Sequence, residues 1–189
     1  QPAGGDAGDI TFSGTTSTID DSSSNNTLVI NTGAEGDVSF GASIGAGTPI
    51  GAITMSTVDD VAIAGNAITS AGAITITGDA TDAITLTGTS NTPAITSGGA
   101  DTEDITIAGI VNDASSDTIL SLVGGASGDV TLSSAVGVTN ALDGFKIQSA
   151  QNVSLGAVTV DGAAGTNTID LGATSPIDGT VTLNGNLST

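Results

Sequence analysis

The sequence predicts an all-β fold, a three-sided parallel β-solenoid of about eight coils with about 23 residues each. Three observations lead to this prediction: a long internal repeat, short strand patterns that recur at one spacing, and no helical pattern of useful length. Each strand pattern alternates apolar with small polar residues and is bounded by Gly, Asp, Asn or Ser.

The internal repeat relates residues 36–63 to residues 128–155 without a gap, at an offset of 92 residues (128 − 36). Apolar residues align with apolar residues at Val38/Val130, Phe40/Leu132, Ile44/Val136, Ile50/Leu142, Ile53/Phe145 and Ile63/Leu155. We interpret the offset as four coils of about 23 residues. The prediction is a single solenoid over residues 1–189 with an internal duplication, 9–100 and 104–189.

The strand patterns sort into three series. The first begins at Ile10, Val38, Val61, Ile84, Ile105, Val130, Val153 and Val181, with a mean step of (181 − 10)/7, about 24 residues. The second begins at Leu28, Ile53, Ile74, Ile95, Leu120, Phe145 and Ile169, with a similar step. The third contains Ile19, Ile44, Ile68, Val111, Val136 and Val160. Three series at one spacing predict three parallel sheets, each series forming one sheet.

Composition favours a narrow core, because aromatic residues make up only 2% of the chain. Ile, Val and Leu are expected to point inward, and Thr, Ser and Ala outward. The alternative is two tandem β-sandwich domains of about 92 residues. Sandwich cores usually need bulky aromatic residues, and a sandwich has no reason to repeat internally at the strand spacing seen here.

The chain carries a formal net charge of −19, and Lys146 is its only basic residue. Binding to nucleic acid or to anionic lipid through basic residues is therefore not expected. Without Cys or His, the chain has no disulfide, zinc-thiolate site or histidine-based catalytic triad. No apolar run is long enough to suggest membrane insertion, and Gln1 at the first position indicates a processed chain or a fragment.

Acidic residues precede the strands of the first series. These candidate calcium ligands are Asp9, Asp37, Asp60, Asp82, Asp104 and Asp129, with Asn152 in the seventh place. Stacked at one corner, neighbouring carboxylates would repel each other by roughly 1 kcal/mol in water, and calcium would relieve this repulsion. The alternative is that each Asp forms a turn before its strand and that the protein has no cofactor.

Paired acids at Asp20/Asp21 and Asp59/Asp60 suggest the two carboxylates of a glycosidase site. Such sites normally include basic residues and aromatic sugar platforms, and this chain has no Arg, Tyr or Trp. We therefore do not expect an enzyme. Thr-x-Thr motifs at residues 75–77 and 85–87 are similar to those of solenoid ice-binding proteins, which makes ice binding a remote alternative.

The outward residues of the first series are small and uncharged. They predict a self-association face made of Thr11, Ser39, Ala62, Thr85, Thr106, Thr131, Ser154 and Thr182. A flat sheet of small side chains can approach another such sheet closely. The expected partner is a second copy of the chain, in lateral or end-to-end contact, because unpaired edge strands also invite stacking.

The pattern GDVTLSSAVGVTNALDGFKIQSAQNVSLGAVTV, residues 128–160, resembles the β-strand repeats of very large bacterial secreted or surface proteins, including filamentous-haemagglutinin-like adhesins. The resemblance implies an extended extracellular or cell-surface β-helix used for adhesion or matrix building. The expected function is a structural one, the building block of a surface filament, sheath or stalk. The alternative is a ligand-binding adhesin segment that contacts carbohydrate or a host surface.

Overall fold

The structure is a computed structural model that describes residues 8–14, 18–22, 26–64, 67–78, 83–87, 94–114, 118–162 and 168–189. Every strand pair in these ranges is parallel, and the strands stack into three sheets of a β-solenoid. The predicted fold class is confirmed. The alternative of two β-sandwich domains is wrong, because sandwiches of that kind are built from antiparallel sheets.

The described strands are short and follow one another around the solenoid. In chain order they are β1 (Ile10–Phe12), β2 (Thr27–Ile30), β3 (Val38–Phe40), β4 (Ala52–Val58), β5 (Val61–Ile63), β6 (Ala67–Thr69), β7 (Ile74–Gly78), β8 (Ala83–Leu86), β9 (Ala94–Thr96), β10 (Ile105–Ala108), β11 (Ile110–Asp113), β12 (Ile119–Val123), β13 (Val130–Leu132), β14 (Gly144–Ser149), β15 (Val153–Leu155), β16 (Val158–Thr159), β17 (Thr168–Leu171), β18 (Val181–Leu183) and β19 (Leu187–Ser188).

The three sheets run along the solenoid axis. Sheet A stacks β1, β3, β5, β8 and β11, and single bridges through Val136 connect it to β16 and β19. Sheet B begins with bridges at Ile19 and Ile44 and continues through β6, β9, β12, β14 and β17. Sheet C stacks β2, β4, β7, β10, β13, β15 and β18. These seven strands span six steps along the axis, so the expected count of about eight coils is approximate.

The alternation of side chains builds one continuous core. In β3, Val38 and Phe40 are fully buried while Ser39 between them is half-buried on the outer side. Each strand stacks its inward residues on those of the next coil, so that Phe40 lies between Phe12 and Ile63. The rings of Phe12 and Phe40 stack with their centroids 5.1 Å apart. The interior is therefore a narrow column of aliphatic side chains with few rings.

At two corners between neighbouring sheets the backbone adopts a left-handed conformation with positive φ. Gly45, which follows the bridge at Ile44, has a φ of +67°, and Gly137, which follows Val136, has a φ of +70°. A Cβ atom at Gly45 would lie 2.0 Å from the carbonyl oxygen of Thr69 in the next coil. Only glycine fits there, because the backbone is left-handed and the neighbouring coil is too close for a side chain.

The expectation that each of the three sequence series forms one sheet is wrong. The first series lies in sheet A through β8 and in sheet C from β10 onward. Ile105 pairs with Ile74 in sheet C, and Val111 takes the place above Ile84 in sheet A. The reason is that only β9 lies between β8 and β10, so Ile105 follows Ile84 by two sides of the triangle and not by three.

Each strand or bridge position forms one side of the three-sided coil. The internal duplication consequently spans eleven sides, and not the twelve sides of four complete turns. The 19 strands and the bridge positions Ile19, Ile44 and Val136 make 22 sides in the described part of the chain. Eleven sides run from β1 to β9 and eleven from β10 to β19. Counting from β3 to β13, the strands that begin at Val38 and Val130, also gives eleven steps. The interpretation of the 92-residue offset as four coils is therefore wrong by one side.

The part of the chain that the structure describes contains no helix long and apolar enough to cross a membrane. All of its described regular elements are strands. The surface consequently consists of three sheet faces, the corners between them and the two end faces of the solenoid.

Candidate functional site

The acidic residues predicted to form one column lie in two. Asp9, Asp37 and Asp60 precede successive strands of sheet A, whereas Asp104 and Asp129 precede strands of sheet C. Asp82 lies outside the described residues. The expectation of a single column fails for the same reason as the series assignment, because β10 enters sheet C.

Each column is held by hydrogen bonds between coils. The Asp9 Oδ1 atom accepts a hydrogen bond from the backbone N–H of Asp37 at 3.2 Å, and Asp37 Oδ1 accepts one from the N–H of Asp60 at 3.3 Å. In the second column, Asp104 Oδ1 accepts a bond of 2.8 Å from the N–H of Asp129. The carboxylates therefore tie each coil to the next through charge-assisted hydrogen bonds, which are stronger than neutral ones.

Asn152 continues the second column without a charge. Its backbone N–H and its Nδ2 group donate to Asp129 Oδ1 at 3.0 and 2.9 Å. Its own Oδ1 accepts a hydrogen bond of 2.9 Å from the N–H of Thr180. A neutral amide thus occupies the same position in the column as the carboxylates. The position therefore needs an acceptor oxygen for the hydrogen bond to the next coil, and not a negative charge.

Calcium binding at these columns remains a prediction. The described residues contain no group of three or more Asp, Glu, His or Cys side chains that could hold a metal ion. Calcium needs about six to eight oxygen ligands, whereas a column supplies one carboxylate per coil. The two columns are therefore better explained as connections between coils than as a metal centre.

We expect the thermal midpoint of unfolding to be the same in excess calcium and in excess chelator at moderate salt. The columns keep their inter-coil hydrogen bonds without metal. Chelation therefore removes no ligand that stabilises the folded state. Differential scanning calorimetry checks this. A clear fall in the midpoint on chelation would contradict it, because a ligand that binds only the folded state adds RT ln(1 + [L]/Kd) to the stability.

A second set of polar contacts recurs at the 92-residue offset. Asp20 Oδ1 accepts hydrogen bonds from the N–H groups of Gly47 and Thr48 in the next coil, at 2.9 and 3.2 Å. Asn112 Oδ1 accepts the equivalent bonds from Thr139 and Asn140 at 3.2 and 3.3 Å. Asp and Asn again act alike, as acceptors that hold the corner of the neighbouring coil.

The hydrogen bonds to Asp20 also shift the pKa of its carboxyl group. A hydrogen bond from the Thr18 hydroxyl, followed by the bond from the Gly47 N–H, lowers the pKa of its carboxyl group below the usual value, and desolvation opposes this. The negative form of Asp20 is therefore favoured, as expected for a carboxylate that accepts several hydrogen bonds.

Asp113 is a buried carboxylate for which the sequence analysis found no role. It is fully buried and accepts hydrogen bonds from the Thr118 N–H at 2.8 Å and from the Thr118 hydroxyl at 3.0 Å. Its counterpart Asp21 accepts bonds from the N–H and Nδ2 groups of Asn26 at 2.7 and 2.6 Å. Both carboxylates bind the residue five positions later, where the chain enters its next side. The sequence itself pointed to this site, because Asp21 and Asp113 occupy equivalent positions of the 92-residue repeat.

The predicted self-association face is divided between two sheets. Thr11, Ser39, Ala62 and Thr85 are neighbours on sheet A, and the next residue in that row is Asn112. The other four predicted residues belong to sheet C. The sheet C row, from one end to the other, is Val29, Thr54, Thr75, Thr106, Thr131, Ser154 and Thr182. We call these seven residues the neutral row, because none of them carries a charge.

Sheet B has a different outer surface. Lys146 on β14 and Asp170 on β17 are opposite each other in register and project outward. Sheets A and C thus both have outward rows without charge, in a chain with a net charge of −19, because the sheet A row continues beyond Asn112 to Thr159 on β16 and Ser188 on β19.

A shallow concavity of about 310 Å³ lies on the outer side of sheet A. Its polar lining consists of the hydroxyls of Ser39, Thr85 and Thr87 and the carboxylates of Asp37 and Asp60. Such a surface can bind a ligand rich in hydroxyl groups through hydrogen bonds. It lacks an aromatic platform, since Phe40 and Phe145 are fully buried and Phe12 packs against Phe40.

Comparison of the chain with family models, curated proteins and solved structures gave no match. The fold class rests on the parallel pairing of the strands. The resemblance to filamentous-haemagglutinin-like repeats therefore supports only a proposed function.

Proposed function

We propose that the chain is an extracellular structural protein, the β-solenoid building block of a surface filament, sheath or stalk. The observation that carries this proposal is the uninterrupted stacking of coils around one aliphatic core, with hydrogen bonds that connect each coil to the next along the whole axis. Such a column resists bending and extension because every step along it is both hydrogen-bonded and packed. Architecture of this kind is also what the filamentous-haemagglutinin-like resemblance implies.

The charge distribution supports assembly through one face. A chain with 20 acidic residues and one basic residue repels its copies wherever the acidic corners approach each other. The neutral row of sheet C carries no charge itself, although Asp104 and Asp129 precede two of its strands, and its side chains are small enough for two sheets to come close. We propose sheet C as the lateral contact between rods, in place of the face predicted from the sequence.

The second candidate is a ligand-binding adhesin segment. The observation that favours it is the polar concavity on sheet A, which presents hydroxyls and carboxylates to a carbohydrate. The burial of Phe40 and Phe145 argues against it, because sugar sites commonly stack a ring face on an aromatic side chain. Ice binding, the more remote candidate, would use the threonines of the neutral row.

We expect Thr75→Glu combined with Thr131→Glu to abolish lateral bundles of rods. Both residues belong to the neutral row, and the added carboxylates bring charge of the same sign to both surfaces of the contact. Electron microscopy of the purified chain measures bundling, and far-UV circular dichroism checks that the variant is folded.

The matched control carries the same two charges on sheet A, Ala62→Glu with Thr85→Glu. It should bundle like the unmodified chain. Bundles that persist in the sheet C variant, or that disappear only in the control, would contradict sheet C as the contact. Single rods that do not bundle but bind immobilised glycans would support the adhesin instead.

A further inference from the structure

The contact proposed above for sheet C joins rods only in pairs. Each rod has one sheet C, and two copies of the same face that pack against each other close after two members. A bundle of many rods, or a sheath, therefore needs a second contact through another part of the surface. A contact between two different surfaces continues from rod to rod, because each added rod leaves one of the two surfaces free.

Sheet B carries the only basic side chain of the protein, that of Lys146. Lys146 projects outward from β14 and is half-buried, in a row whose other members are Ala67, Ala94, Ser121 and Asp170. Asp170 lies beside it in register, yet Lys146 forms no ion pair with any residue that the structure describes. Its ammonium group is therefore available to carboxylates of another molecule.

The corner between sheets C and A carries exposed acidic residues. It contains the turns that lead from β2 to β3 and from β4 to β5. Glu35, Asp37 and Asp60 are exposed there, and Asp59 is half-buried. We call these four residues the acidic corner. Since Lys146 is the only basic residue and lies on another side of the coil, no side chain elsewhere in the chain can neutralise this corner.

We propose that Lys146 on sheet B of one rod binds the acidic corner of a second copy of the chain. In a three-sided coil, the corner between sheets C and A lies opposite sheet B. One neighbour can therefore bind to sheet B of a rod while the acidic corner of the same rod binds to another neighbour. This inference rests on the proposed function, to which it adds the contact that connects pairs of rods into a wider bundle or sheath.

Charge complementarity identifies the partner as a second copy. With 20 acidic residues and one basic residue, most surfaces of two copies oppose carboxylates to carboxylates, and a contact at Lys146 replaces this repulsion by attraction. Asp37 and Asp60 occupy successive places in one column, because the Asp60 N–H donates to the Asp37 carboxylate. Successive places are about 4.8 Å apart, so one ammonium group with its three donors can approach both carboxylates.

The strength of this contact depends on the salt concentration. Exposed ion pairs are weak one at a time, but a pair of rods joined through sheet C presents two copies of Lys146 and two acidic corners, so that several contacts form together. At about 1 M salt, screening shortens the range of the attraction to about 3 Å. Wide bundles should then separate into pairs, whereas the sheet C contact, which has no attractive charges, should persist.

Two variants each remove one side of the contact. Lys146→Gln removes the cation, and Glu35→Gln with Asp37→Asn and Asp60→Asn neutralises the exposed acids but keeps their acceptor oxygens, as Asn152 does in the second column. Each variant alone should form pairs of rods and no wider bundles, measured by electron microscopy and light scattering. An equal mixture should form wide bundles again, because each variant supplies the surface that the other lacks.

The matched control removes the same three charges at the corner between sheets B and C, by Asp101→Asn with Asp104→Asn and Asp129→Asn. It should bundle like the unmodified chain, and so should Lys146→Arg. Far-UV circular dichroism checks that every variant is folded. Wide bundles formed by Lys146→Gln alone would overturn the contact. Bundles narrowed as much by the control as by neutralising the acidic corner would overturn that corner as the partner of Lys146.

The unmodified chain separates failure of this inference from failure of the proposed function. Pairs of rods that never widen into bundles would overturn the contact through Lys146 and leave the sheet C contact intact. Assembly that stops at pairs in Ala62→Glu with Thr85→Glu, but not in Lys146→Gln, would assign the second contact to sheet A and overturn sheet B. Rods that stay single at every salt concentration would overturn the proposed lateral assembly, and this contact with it.

Discussion

Replacing Phe40 with alanine is expected to lower the free energy of unfolding by about 3–5 kcal/mol. Phe40 is fully buried in β3, between Phe12 in the coil before and Ile63 in the coil after, and its ring stacks on that of Phe12 at 5.1 Å. Hydrogen-bonded coils on both sides keep their spacing, so the cavity cannot collapse fully. Urea denaturation with an unchanged m-value would give the difference directly.

The two halves of the chain suggest a milder variant as control. Leu132 occupies the place of Phe40 in the second half and is equally buried. Phe40→Leu should therefore cost less than about 1.5 kcal/mol. Thr85→Ala, on the outer side of sheet A, should stay within about 0.5 kcal/mol of the unmodified chain. Equal costs for Phe40→Ala and Thr85→Ala would show that the inward and outward residues are assigned incorrectly.

The second large effect is expected for Asp113→Ala, at roughly 2–5 kcal/mol. Alanine leaves the N–H and the hydroxyl of Thr118 without their carboxylate acceptor, and Thr118 is itself buried. A buried donor without a partner costs about 1–3 kcal/mol, and more when the lost acceptor was charged. Equilibrium unfolding in urea, compared with the unmodified chain, measures the loss.

Two further variants separate the hydrogen bonds from the charge. Asp113→Asn keeps an acceptor oxygen, as Asn112 and Asn152 do elsewhere in the chain, and should cost less than Asp113→Ala. Asp9→Ala removes an exposed carboxylate with one hydrogen bond to Asp37 and should cost at most about 1 kcal/mol. If Asp113→Ala is no more damaging than Asp9→Ala, the buried contacts to Thr118 contribute nothing to stability.

The fold class could be predicted because inward and outward residues alternate along almost every strand, as in β5 and β13. The assignment of strands to sheets could not be predicted, because it depends on turn lengths. Steps along sheet C vary from 21 residues, Ile53 to Ile74, to 31 residues, Ile74 to Ile105. A mean spacing hides this variation, and a single long step moves every later strand to another sheet.

The acidic positions were visible in the sequence, but what they bind was not. The acceptor role of Asp37 depends on which backbone N–H lies above it, and that N–H belongs to Asp60 in the next coil. Contacts between coils follow from the stacking order, which the sequence leaves open where turns vary in length. Asp113 shows the opposite case, because comparison with Asp21 at the offset could have identified it beforehand.

The eleven-side half has a consequence for the straightness of any longer rod made from it. Three such halves contain 33 sides, which are eleven whole turns, so only every third half faces the same direction. A slight curvature built into one half, from a bulged strand or a wide corner, is then repeated along three directions 120° apart. These deflections cancel over three halves, and the rod stays straight although the three sheets within one half differ from one another.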